Sequence, residues 1–272
     1  MRFSLSCGRA IGYRTCGAGH PVLLLHPVGL DGEFWDDVAA VLSAHWRVIA
    51  LDLPGHGQSD VGPHEQSLSQ MALEIAELID AVGQPPVTVV GCSLGGMVAQ
   101  ALALERPDLV GALVLANTSH DRDAASRAAL EKRAEKALSG MPTIVADTIE
   151  RWFDPSYAAA HPDRVERLRA KLDAADPVVH ARMWRAIAAL DHGERLACIT
   201  VPSLIVSGSQ DRSIPAAATL AMVQALPGSR HVELDGAGHL TPYERPEDFA
   251  RLVADFLQAC AQDETHPMEE QQ

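Results

Sequence analysis

The chain has few aromatic residues, little positive charge and no long apolar run. Phe, Trp and Tyr make up 4% of its 272 residues, and 22 Lys and Arg face 36 Asp and Glu, so the formal net charge is −14. Because like charges repel, this balance disfavours nucleic acids and anionic membrane surfaces as partners. An acidic small-molecule substrate would need a local cation in its pocket.

The cysteines and the apolar runs also restrict location and cofactors. The cysteines are odd in number and show no C-x-x-C spacing, which is typical of a reducing compartment: they are Cys7, Cys16, Cys92, Cys198 and Cys260. No run reaches the roughly 18 apolar residues that cross a bilayer, and the first residues lack the apolar core of a signal peptide. We predict a cytoplasmic protein with no membrane contact, no metal and no organic cofactor.

Apolar strand patterns alternate with helical patterns along most of the chain. Strands are predicted within 3–16 and at 22–25, 47–51, 87–90, 112–116, 203–207 and 231–234, and helices at 34–42, 67–82, 216–225 and 246–260. Parallel strands need crossover connections, so this alternation predicts an α/β fold with a mainly parallel central sheet flanked by helices.

One long segment departs from the alternation. Between 119 and 196 the sequence is helical without a strand pattern, and it is interrupted by Gly140 and several prolines. We predict one domain, with residues 1–118 and 197–261 as the core, 119–196 as a helical cap insertion and 262–272 as a flexible tail. The sequence leaves assembly into a homo-oligomer open.

The clearest motif is Gly91-Cys-Ser93-Leu-Gly95, which follows a β-branched run and precedes a helical stretch. This is the setting of a nucleophile elbow, where a serine occupies a strained turn and small neighbours let strand and helix pass closely. We predict that Ser93 is a nucleophile and that the N–H of Leu94 helps to stabilise an oxyanion.

A serine nucleophile requires a base and a group that orients the base. His239 lies in a glycine-lined loop after a short strand, and Asp211 follows the strand at 203–207. The order Ser93, Asp211, His239 is that of α/β hydrolases, so these residues form the predicted triad. Asp235 is the reserve acid.

The loop after the strand at 22–25 should supply a second oxyanion donor. Pro27 has no N–H, which leaves the backbone N–H of Val28. His26 is predicted to brace this loop through side-chain hydrogen bonds, and His56 is assigned a structural role.

These motifs together resemble the α/β-hydrolase superfamily over nearly the whole chain. Ser93–Gln100, Leu115–Ser119, Arg151–Pro155 and Asp173–Pro177 are similar to segments of the 3-oxoadipate enol-lactonases, although the oxyanion loop His26–Gly29 differs from theirs. The resemblance implies a carboxylate-bearing lactone as substrate. Arg151 and Trp152 of the cap are candidates to contact it, and a surface packing pair is an equally good interpretation of them.

The expected activity is therefore the hydrolysis of a small-molecule ester or lactone, first an enol-lactone of aromatic catabolism, through an acyl-enzyme. A general carboxylesterase or a C–C bond hydrolase is the enzymatic alternative. A non-hydrolytic enzyme or a ligand-binding protein of the same fold is the alternative from another class, because fold alone does not determine function.

Overall fold

The computed structural model of the protein describes residues 1–265, and its centre is an eight-stranded sheet. The strands are β1 (Arg2–Ser4), β2 (Ala10–Cys16), β3 (Pro21–Leu25), β4 (Arg47–Leu51), β5 (Val87–Cys92), β6 (Val110–Ala116), β7 (Ser203–Gly208) and β8 (Arg230–Leu234). Their spatial order is β1-β2-β4-β3-β5-β6-β7-β8. The β1–β2 and β2–β4 pairs are antiparallel and the others parallel, which confirms the predicted mainly parallel sheet.

Helices cover both faces of the sheet, so the central strands are buried. They are α1 (Asp36–Leu42), α2 (Leu68–Leu78), α3 (Leu94–Glu105), α4 (Ala124–Leu138), α5 (Pro142–Trp152), α6 (Pro155–Ala160), α7 (Pro162–Asp173), α8 (Pro177–Ala188), α9 (Ala216–Ala225), α10 (Thr241–Glu244) and α11 (Pro246–Thr265). Every residue of β3, β5 and β7 is buried, as expected for parallel strands covered on both faces. The carboxyl ends of these strands carry the loops described below.

Helices α4 to α8 lie between β6 and β7 and form a helical insertion. The prolines that interrupt its sequence begin helices: α5, α6, α7 and α8 each start with proline, where a missing N–H costs nothing. The side chains of Asp154 and Asp176 cap α6 and α8 by accepting backbone N–H groups of the first turn. The segment is thus helical as predicted, while the domain boundaries at 118 and 197 remain predictions.

The last helix is longer than the sequence pattern indicated. It continues to Thr265, so the tail predicted over 262–272 overlaps the helix at its start, and residues 266–272 lie outside the described part. Ala261 and Gln262 are compatible with a helix, and the first proline after Pro246 is Pro267. No helix in the described residues is long and apolar enough to cross a membrane.

Candidate active site

Ser93 lies at the turn between β5 and α3, with φ +52° and ψ −116°. Such a backbone conformation costs a non-glycine residue about 1–3 kcal/mol, so the surrounding packing must impose it. The glycines at either side have no room for a side chain. A Cβ on Gly91 would lie 2.3 Å from the Gly95 oxygen, and one on Gly95 would lie 2.1 Å from the Leu25 oxygen. The predicted strand–turn–helix geometry is confirmed.

Ser93, His239 and Asp211 form a hydrogen-bonded chain. The Ser93 Oγ is 3.0 Å from the His239 Nε2, and the His239 Nδ1 is 3.0 Å from the Asp211 Oδ2. An ionised carboxylate only accepts hydrogen bonds, so Nδ1 carries the proton and Nε2 is left to accept from the serine hydroxyl. The side chains of His239 and Asp211 are 3% and 4% exposed, which keeps water away from this chain.

Asp211 is held in place at the end of β7 by several donors. Its Oδ1 accepts the backbone N–H groups of Ser213 and Ile214 at 2.7 and 3.0 Å. Burial alone would raise the pKa of Asp211, but His239 and these hydrogen bonds outweigh burial and lower it. The reserve acid Asp235 is exposed and accepts a hydrogen bond from Ser209 rather than from His239.

The two predicted oxyanion donors, the N–H groups of Val28 and Leu94, belong to buried residues. Leu94 begins α3, where the first N–H groups have no partner within the helix. Among residues 1–265, neither N–H group donates to another protein group. Both donors are therefore free to bind a developing charge, although their catalytic role remains a prediction.

Two buried histidines brace the loop that carries Val28. The His26 Nε2 accepts the Leu53 N–H at 2.8 Å, and the His56 Nε2 accepts the Gly29 N–H at 3.1 Å. Burial lowers the pKa of His26 to about 4 and that of His56 to about 3, so both rings are neutral and keep these acceptors. The bracing role of His26 is confirmed, and His56 has a partner that the sequence did not show.

Asn117 is a site residue for which sequence reasoning gave no role. It follows β6 with φ +48°, a left-handed conformation that asparagine tolerates better than most residues. Its Nδ2 donates to the Asp211 Oδ2 at 3.0 Å and to the Gly238 oxygen at 3.1 Å, and its Oδ1 accepts the Thr241 hydroxyl at 2.6 Å. Asn117 therefore joins the acid to the histidine loop.

Glu244 is a second such residue, and it lies in the short helix α10. Its Oε2 accepts the Gly238 N–H at 2.9 Å and its Oε1 accepts the Leu240 N–H at 3.0 Å, so one carboxyl group holds both peptides beside His239. Burial raises the pKa of Glu244 to about 7, although the two N–H groups and His239 act in the opposite direction. In the sequence, the one sign of this contact is that the glutamate lies five residues after the predicted base.

The two cap candidates differ in position. The Trp152 ring is buried, its centroid lies 6.4 Å from that of His239, and its carbonyl accepts the His239 N–H at 2.8 Å. The Arg151 side chain is exposed, and its charge acts on Asp147 and Arg133. In the described part of the chain, no group of three or more His, Cys, Asp or Glu side chains is arranged to hold a metal ion.

Comparison with known proteins assigns the family. A family model described as alpha/beta hydrolase fold matches residues 20–246. The chain belongs to the α/β-hydrolase family. This hydrolase is 28% identical over 256 residues to the (E)-2-((N-methylformamido)methylene)succinate hydrolase of Acinetobacter baylyi, a match that covers 93% of this chain and 96% of the relative.

Two further matches support the same assignment. The hydrolase is 28% identical to 3-oxoadipate enol-lactonase 2 of A. baylyi, over 90% of this chain and 91% of that protein, which confirms the resemblance to enol-lactonases. It also superimposes on a crystal structure of a hydrolase from Pseudomonas aeruginosa with a TM-score of 0.89 at 32% identity, over 94% and 97% of the two chains. The two relatives from A. baylyi are named for different substrates.

The raised pKa of Glu244 predicts a pH-dependent cost to stability. The unfolded carboxyl group has a pKa near 4.5 and the folded one about 7, so between these values the folded state binds the extra proton and stability falls as pH rises. Glu244→Gln removes this titration. At about 1.36 kcal/mol per unit, we expect the free energy of unfolding of Glu244→Gln, relative to wild type, to rise by about 2–3 kcal/mol between pH 5 and pH 8.

Urea denaturation at both pH values measures this difference, with Glu247→Gln on the exposed first turn of α11 as the matched control. The control should follow the wild-type pH dependence. If the free energies of unfolding of wild type and Glu244→Gln change equally between the two pH values, Glu244 does not titrate in this range.

Proposed function

We propose that this protein is a serine hydrolase that cleaves a small ester or lactone through an acyl-enzyme, with Ser93 as nucleophile, His239 as general base and acid, and Asp211 as the orienting acid. The observation that carries the proposal is the hydrogen-bonded chain from the Ser93 Oγ through His239 to Asp211. A strained serine at the start of a helix, followed by Leu94 with its free N–H, supports it.

The proposed reaction proceeds in two halves. The Ser93 Oγ attacks the carbonyl carbon while the His239 Nε2 takes its proton, and the N–H groups of Val28 and Leu94 bind the oxyanion. The imidazolium then gives this proton to the departing oxygen, which in a lactone stays attached to the acyl group. Water, deprotonated by His239, attacks the acyl-enzyme, and the imidazolium returns that proton to the Ser93 Oγ as the acid leaves.

An enol-lactone is the first candidate substrate, and the likeness to 3-oxoadipate enol-lactonase 2 supports it. The second candidate is a neutral ester, as for a general carboxylesterase. The net charge of −14 favours this candidate, because a protein of this charge repels a substrate carboxylate. The exposed position of Arg151 favours it too, because this cation is then not buried in a pocket where it could offset the repulsion. C–C bond hydrolysis remains the third enzymatic alternative.

A ligand-binding protein of the same fold would return its ligand intact. Time-resolved mass spectrometry of the protein mixed with p-nitrophenyl acetate distinguishes the two classes, because an acyl-enzyme adds an acetyl group to the peptide that contains Ser93. No covalent adduct and no release of p-nitrophenol would exclude the proposed hydrolysis.

Replacing the nucleophile tests the proposal directly. Ser93→Ala removes the attacking oxygen and should lower kcat by roughly 10⁴-fold or more, because the triad acts as a unit. Steady-state hydrolysis of p-nitrophenyl acetate measures the effect, and circular dichroism checks the fold. A variant with turnover near that of wild type would rule out Ser93.

The orienting acid has a built-in control in Asp235. Asp211→Asn places an amide beside Nδ1 and favours the wrong imidazole tautomer, so kcat should fall by about 10³–10⁴-fold. Asp235→Asn changes an exposed carboxylate that bonds to Ser209 and should change kcat less than about twofold. A larger loss in Asp235→Asn than in Asp211→Asn would reverse the assignment.

Arg151→Ala tests the charge of the substrate. The contribution of an exposed guanidinium is under about 1 kcal/mol, so kcat/KM for a carboxylate-bearing enol-lactone and for a neutral ester should each change less than about fivefold. Kinetics on both substrates measure this. A loss of about thirtyfold or more that is confined to the lactone would instead establish Arg151 as the contact for the substrate carboxylate.

A further inference from the structure

A cleft of about 310 Å³ lies between the helical insertion and the loops that follow β3 and β4. Gly29, His56, Val179 and His180 are buried at its inner end, whereas Gly57, Ala174 and Asp176 are exposed at its rim. Gly29 directly follows Val28, the proposed oxyanion donor. The cleft and the proposed catalytic machinery therefore share the loop that follows β3.

His180 is the side chain in this cleft that lacks partners. It is 1% exposed, and neither of its ring nitrogens has a hydrogen-bond partner. A buried polar group without a partner costs about 1–3 kcal/mol, and a ligand atom that bonds to it would recover that cost. Its ring packs closely on the loop: a Cβ on Gly29 would lie 2.8 Å from the His180 Cε1.

The other polar side chains of the cleft already have partners within the protein. Lys171 donates to Asp31 at 2.5 Å and to Glu33 at 2.7 Å. Asp176 accepts the N–H groups that open α8, and the His56 Nε2 accepts the Gly29 N–H. Among the lining side chains, His180 alone has buried polar atoms without a hydrogen-bond partner.

The charge of the cleft indicates the chemistry of that ligand. Asp31 and Asp176 outnumber Lys171 among the lining residues, which disfavours an anion. Burial lowers the pKa of His180 to about 3, with the charge of Arg133 acting in the same direction, so the ring is neutral. A neutral imidazole offers one donor and one acceptor, and a hydroxyl group can serve either nitrogen because it both donates and accepts.

We propose that this cleft is a specificity subsite in which His180 binds a neutral hydroxyl group of the substrate. The proposal rests on the proposed serine hydrolase activity. A site built to bond a hydroxyl group discriminates strongly against the analogue without it, because the protein group is then left unpaired.

Two pairs of esters test the subsite, and in each pair a terminal hydroxyl replaces a methyl group. In the acyl pair these are the p-nitrophenyl esters of 6-hydroxyhexanoate and heptanoate, and in the alcohol pair 4-hydroxybutyl acetate and pentyl acetate. We expect wild type to favour the hydroxylated member of at least one pair by about tenfold or more in kcat/KM. His180→Phe should abolish this preference, and His180→Gln, which keeps a donor and an acceptor, should retain part of it.

His64→Phe at an exposed histidine is the matched control and should keep the wild-type preference. No preference in wild type for either pair, or a preference that His180→Phe leaves unchanged, would overturn the proposal, and the cleft would then hold water alone. A preference for esters with a terminal carboxylate, lost in His180→Phe, would show that the subsite binds an anion and not a neutral hydroxyl group. If wild type hydrolyses no ester, including p-nitrophenyl acetate, the proposed function fails instead.

Discussion

The close passage of α3 over the end of β3 is the constraint on which the rest of the site depends. Gly95 approaches the Leu25 carbonyl so closely that no side chain fits between them, and Gly91 faces the Gly95 peptide in the same way. This contact fixes the first turn of α3 against the loop that begins at His26. This close backbone approach therefore accompanies the strained conformation of Ser93 and places the start of α3 next to the loop that leads to Val28.

A second layer of hydrogen bonds holds the base. Asn117 connects Asp211 to the histidine loop, and Glu244 holds the peptide N–H groups on either side of His239. The imidazole is thus fixed through its backbone as well as through Nδ1. A ring held from both sides loses little conformational entropy when it transfers a proton, which is the advantage of a preorganised site.

Much of this arrangement could be predicted from the sequence, because local patterns encode it. The strand–Gly-x-Ser-x-Gly–helix segment and the alternation of strands and helices have short-range signatures, and the order of Ser93, Asp211 and His239 can be read along the chain. The contacts of Asn117 and Glu244 have none, since they depend on how separate loops meet. The exposure of Arg151 was equally hidden: a cation in a helix shows its spacing in the sequence, but not whether the helix turns it toward the core or toward water.

The position of β8 at the edge of the sheet has a consequence for how the protein loses activity. This strand pairs with β7 alone, its residues are exposed or half-buried, and it delivers the loop that carries His239. Edge elements with few buried contacts open locally at a lower free energy than the core. The strand therefore adds little to the stability of the histidine loop, which is held instead by Asn117, Glu244 and the Trp152 carbonyl. Loss of these contacts would separate the base from the nucleophile while the sheet is still largely intact, so inactivation would precede global unfolding.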